Sequence, residues 1–295
     1  MAIEDLDQSL QARINMTFII MSDYFYAVYL VKSFYKFLTT KDWRFFFPIV
    51  AAFSAFMNNI NDIIYFLLYE YFEGTNCKTF LNYFVTTATL NWTPISWLQT
   101  IRLISFTKVF YKKSVYYMIS AINIILSAAY TISYYNNLFN FTDTNIGEST
   151  NKFMFCSVKQ KESKIPTKIS PTQYVMIFDV CDSTFSLGVL VFTAYMALDS
   201  IAHLKFHHAK IKRMVDEGLV QLIVLTVSKI VCYSLMFYLQ KKGLMIEDII
   251  WDILSVIVII CSYRLVNVRY SRIGCKYLYI YKYLIIIIIY YNYLR

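Results

Sequence analysis

Residues 77–102 read CKTFLNYFVTTATLNWTPISWLQTIR, a mostly uncharged stretch with a cysteine at its first position and an arginine at its last. As an α-helix rising about 1.5 Å per residue it would extend roughly 37 Å, close to the thickness of a hydrocarbon core plus part of its headgroup layers. The cysteine and the arginine would then lie on opposite sides of a membrane.

The composition agrees with that setting. Of 295 residues, 58% are hydrophobic, 19% are aromatic and only 16% are charged, whereas a soluble domain carries about a quarter charged residues. This excludes a water-soluble globule. Apolar stretches recur at 16–38, 45–69, 78–104, 114–136, 173–204, 218–240 and 248–268. Each is long enough for a transmembrane helix, and their unbroken hydrophobicity excludes the alternating strands of a membrane barrel. With no internal repeat, the sequence predicts an all-α bundle of seven transmembrane helices at 16–268. An extracellular segment, 1–15, precedes it, and a tail, 269–295, follows it.

Lysines and arginines orient the bundle. Sixteen of them fall in four groups on one side: Lys32 to Arg44, Arg102 to Lys113, Lys205 to Arg213 and Arg264 to Lys276. The other side carries nine, together with most of the loop carboxylates. By the positive-inside rule the amino terminus is outside and 264–276 inside, in a multi-pass plasma-membrane protein. The net charge of +9 is then an orientation signal, since the basic residues sit in separate short loops beside spans. No nucleic-acid partner is expected, and the partner implied directly is the lipid bilayer.

Six cysteines are present. Cys181, Cys232 and Cys261 fall within spans and Cys275 on the basic side, which leaves Cys77 and Cys156 in the outer layer, where oxidation is permitted. Either these two form a disulfide or they are two unpaired outer thiols. The sequon Asn140-Phe-Thr142 lies in the predicted outer loop 137–172, where it can accept a glycan.

An outer amino terminus, seven spans, a cysteine opening the third span, a second in the loop after the fourth and an arginine 25 positions after the first cysteine resemble the rhodopsin-like G-protein-coupled receptors. There the same spacing separates the disulfide cysteine from the arginine of the Asp-Arg-Tyr motif. Here Ile101 and Leu103 flank Arg102, and the seventh span, DIIWDILSVIVIICSYRLV, has no Asn-Pro-x-x-Tyr. The resemblance implies that Arg102 couples to a heterotrimeric G protein. Its resting partner has to come from outside its own neighbours, and Asp199, Asp216 and Glu217 are available.

Ionisable groups inside the spans cost at least a few kcal/mol each at mid-membrane and mark functional positions. Asp62, Asp179, Asp182 and Asp252 are such groups, and Lys229 is the cation at comparable depth. Asp179 and Asp182, three apart, share a helix face. One reading is structural, with Lys229 paired to one carboxylate and the others solvated or bonded to Asn58, Asn59, Asn61 or Asn91. The other is an outward-opening acidic pocket for a small extracellular ligand.

No nucleotide loop, zinc-protease motif or nucleophile elbow is present, so neither an enzyme nor a cofactor is expected. His203 and His207 lack a third ligand, so no metal site is expected. A retinal protein is rejected because the seventh span has no lysine. Residues 277–294 use only Tyr, Leu, Ile, Lys and Asn, and read as an interfacial helix, AT-rich translated sequence or an eighth span. The functional expectation is a cell-surface receptor signalling to a G protein. The alternative is a transporter or ion-translocating protein using the intramembrane carboxylates.

Overall fold

The computed structural model describes residues 8–67, 77–148, 153–160, 170–201, 208–242 and 247–267. Seven α-helices follow the seven apolar stretches: α1 (Gln8–Thr40), α2 (Phe46–Leu67), α3 (Cys77–Phe110), α4 (Lys113–Leu138), α5 (Pro171–Ile201), α6 (His208–Lys242) and α7 (Glu247–Asn267). The segments 1–7 and 268–295 lie outside the described residues, and with them Cys275 and the 277–294 tail. So do His203 and His207.

The helix directions can be read from side-chain contacts. Along α4 and α5, Ser127 meets Asp182 and Asn123 meets Ser186, so one number rises as the other falls. Asn58 with Thr87 and Tyr65 with Phe80 give α2 and α3 the same antiparallel register. Asn91 with Ser255 and Arg102 with Leu265 rise together, so α3 and α7 run parallel. The result is an alternating bundle of the kind that short connections between long helices produce.

Six of these helices are long and apolar enough to cross a membrane: all but α3, the helix that carries the opening stretch. Position explains the exception. α3 packs against α2, α4, α5 and α7, and between Asn91 and Thr100 every residue except Pro94 and Trp97 is buried. A helix enclosed by other helices does not face lipid and need not be lipid-like. Its Asn91, Ser96 and Thr100 hydrogen-bond to neighbouring helices instead, each such bond adding around 0.6 kcal/mol on average within a membrane. α1, by contrast, turns Tyr24, Val31, Phe34 and Tyr35 outward, as a lipid-facing helix does.

The connection between α4 and α5 holds a β-hairpin in place of an irregular loop. β1 (Phe141–Glu148) and β2 (Phe153–Gln160) pair antiparallel from Phe141↔Gln160 to Glu148↔Phe153, and the hairpin packs on α2 and α3. Cys77 and Cys156 form a disulfide, joining the first residue of α3 to the middle of β2. Around it Phe80, Tyr65 and Val158 form a small apolar cluster separate from the main core. Asn140, half-buried at the turn between α4 and β1, donates through its side-chain amide to the Asn136 carbonyl at 3.0 Å.

Candidate functional site

The five intramembrane ionisable residues fall into two groups. Asp179, Asp182 and Lys229 belong to the first. Lys229 Nζ on α6 donates to the Asp179 carboxylate at 2.7 Å and to Ser183 Oγ at 2.9 Å, while the Tyr233 hydroxyl donates to the other Asp179 oxygen at 2.5 Å. Asp182, one turn further along α5, accepts from Ser96 Oγ of α3 at 2.6 Å and Ser127 Oγ of α4 at 3.2 Å. Ser127 in turn shares a 2.6 Å bond with Thr100. All of these side chains are buried.

The spacing on α5 makes this possible. Residues 179, 182, 183 and 186 occupy one stripe, which faces α3, α4 and α6 at once. The network joins four helices and satisfies both carboxylates internally, which is the condition under which buried charges persist. In this conformation it does not open outward.

Asp62 and Asp252 form the second group. Asp62 on α2 and Asp252 on α7 lie within electrostatic reach of one another and of Asp248, and Asp252 within reach of Asp23 on α1. Asp62 accepts from the Asn58 amide at 3.4 Å. Among the described residues neither Asp62 nor Asp252 has a basic partner, and both are only partly buried. The expected pocket of five residues thus resolves into a sealed cluster on α3 to α6 and a separate acidic group on α1, α2 and α7.

Arg102 lies at the other end of α3. One of its guanidinium nitrogens donates to the backbone carbonyl of Leu265 on α7. A second lies so close to Gly218 of α6 that a Cβ added there would sit 2.1 Å from it. The backbone of α6 at this point is therefore a seat for the guanidinium, and only glycine leaves room for it. Arg102 bridges three helices through a carbonyl and a bare backbone. The side chains of Asp199, Asp216 and Glu217 lie outside those described.

Ser96, Ser127, Ser183, Tyr233 and Gly218 are contacts of these charged groups that the sequence did not single out. The recurrence of Thr93, Ser96 and Thr100 along α3 was the available signal for the first of them, because small polar residues at helical spacing mark an inward stripe.

No protein-family model matches this chain, and no curated protein matches it. What it is therefore rests on its own geometry: a multi-pass helical membrane protein with a disulfide-anchored central helix.

Proposed function

We propose that the chain is a seven-span cell-surface receptor, amino terminus outside and carboxyl terminus inside, that passes an extracellular ligand signal to a heterotrimeric G protein. The observation that carries this reading is the construction of α3. Its first residue is tied by a disulfide to the hairpin before α5, and 25 residues later its arginine rests against α6 and α7. One continuous helix thus connects the disulfide-tied layer to a contact that links α3, α6 and α7 further along the bundle.

Such a contact is a two-state element. With α6 in place, Gly218 covers the guanidinium. If this part of α6 swings away, the guanidinium donors not held by the Leu265 carbonyl are uncovered, where a partner can meet them. The ligand acts on the outer group of Asp62 and Asp252, which suits a small cationic or hydrogen-bonding molecule, and the Asp179–Lys229 cluster holds α5 and α6 together between the two ends.

The test sets nucleotide exchange on co-reconstituted heterotrimeric G proteins against flux of small ions in proteoliposomes. Catalysed exchange without flux supports the receptor. Flux that Lys229→Gln abolishes, without exchange, establishes a transporter instead. Orientation is checked on intact cells, where an amino-terminal epitope should be accessible and Asn140 glycosylated; a protected epitope overturns the assignment.

A further inference from the structure

We infer that the face between α4 and α5, at the basic end of the bundle, is a binding site for one anionic phospholipid, with an acyl chain lodged in a notch at Gly188. A groove of about 400 Å³ opens there, lined by Tyr111, Val115 and Ile119 on one wall and Phe185, Gly188 and Phe192 on the other. The surrounding α5 surface is bulky, with Phe192 and Tyr195 exposed. Gly188 interrupts it: a Cβ built there would meet nothing within 4 Å, so the depression comes from a missing side chain and is not closed by a neighbour.

The floor is fixed in place. The Tyr111 hydroxyl shares a 2.9 Å hydrogen bond with Thr193 Oγ1, tying the connection between α3 and α4 to α5. One end of the groove is therefore held by a bond between its two walls.

Charge complementarity identifies the occupant. Lys112 occupies the N-cap position of α4, and Lys113 and Lys108 flank it, all three exposed. Val115 and Ile119 follow Lys112 by three and seven positions, so the apolar stripe runs from the lysines into the bilayer. Phe185 and Phe192, seven residues apart on α5, give the groove a depth of about 10 Å at helical rise. A ligand filling both parts has an anionic head at the level of a helix end and an apolar chain extending inward, which describes a phosphatidylserine-type lipid and excludes a soluble anion. Each lysine near an anionic headgroup strengthens binding about fivefold.

Native mass spectrometry of the full chain in detergent, titrated with phosphatidylserine or phosphatidylcholine, tests the site. The wild type should retain one phosphatidylserine at least tenfold more strongly than phosphatidylcholine. Gly188→Leu, which fills the notch without touching the core, should abolish that first binding event. Lys108→Gln/Lys112→Gln/Lys113→Gln should erase the preference for the anionic lipid. Melting temperatures near the wild-type value would show that these variants remain folded. Equal retention of the two lipids by the wild type would overturn the proposal. So would unchanged phosphatidylserine binding in Gly188→Leu, which would reduce the effect to charge attraction at a bare surface.

Discussion

The two acidic groups of this bundle are built on opposite principles. Asp179 and Asp182 are buried, and every carboxylate oxygen described there meets a lysine, a tyrosine or a serine donor. Asp62 and Asp252 are half-buried, sit within reach of other carboxylates and face no described cation. A buried ion pair contributes to the fold only while both partners stay, whereas neighbouring carboxyls with no described cation gain no such tie from one another. The difference separates a clamp that ties four helices together from an acidic group that makes no such tie within one bundle.

The largest expected effect comes from breaking the clamp. Lys229→Met leaves Asp179 buried beside an apolar chain and should cost about 3–5 kcal/mol, the usual range when one partner of a buried pair is removed. Removing both charges with Asp179→Leu/Lys229→Met should restore most of the loss. Thermal unfolding in detergent measures each variant, and a double variant no better than the single would show that the pair is not the unit.

Loss of the disulfide comes next. Cys77→Ser should lower stability by about 2–4 kcal/mol, the usual range for a disulfide, and reduce surface expression. The double variant Cys77→Ser/Cys156→Ser should be no worse than either single one. An additive loss in the double variant would mean that the two cysteines act separately.

The acidic group should respond far less. Asp252→Asn and Asp62→Asn each replace a carboxyl by an amide of nearly the same shape and break no ion pair, so stability should change by less than about 1 kcal/mol, while any ligand-dependent response is lost. A loss of several kcal/mol in either variant would make this group a second clamp and erase the contrast.

Much of the fold was legible beforehand, because a membrane imposes long apolar runs and each of the seven stretches became a helix with ends shifted by a few residues. The largest departures are α6, which begins ten residues before its apolar stretch, at His208, α1, which begins eight before, at Gln8, and α3, which runs six beyond, to Phe110, since a polar extension leaves no hydropathy signal. Lys229 and Asp179 could be matched as opposite charges at one depth. Ser96 and Ser127 could not, since serine fits any helix and only packing decides which carboxylate it meets. The hairpin was hidden because β1, FTDTNIGE, has no apolar alternation to announce a strand; backbone pairing and the disulfide hold it. Gly218 was hidden for a different reason: its function is the absence of a side chain, visible only once Arg102 lies against it.

The smallest structural change bears most directly on the receptor reading. Gly218→Ala adds one methyl group where the Arg102 guanidinium now rests, so it should displace the arginine while altering stability by less than about 1 kcal/mol. The measurement is basal nucleotide exchange on a panel of heterotrimeric G proteins, with wild type, Gly218→Ala and Arg102→Ala at equal density in lipid nanodiscs. The account predicts exchange above the empty-disc rate for the wild type, several-fold faster exchange for Gly218→Ala and none for Arg102→Ala. Three rates indistinguishable from empty discs across the whole panel would contradict it.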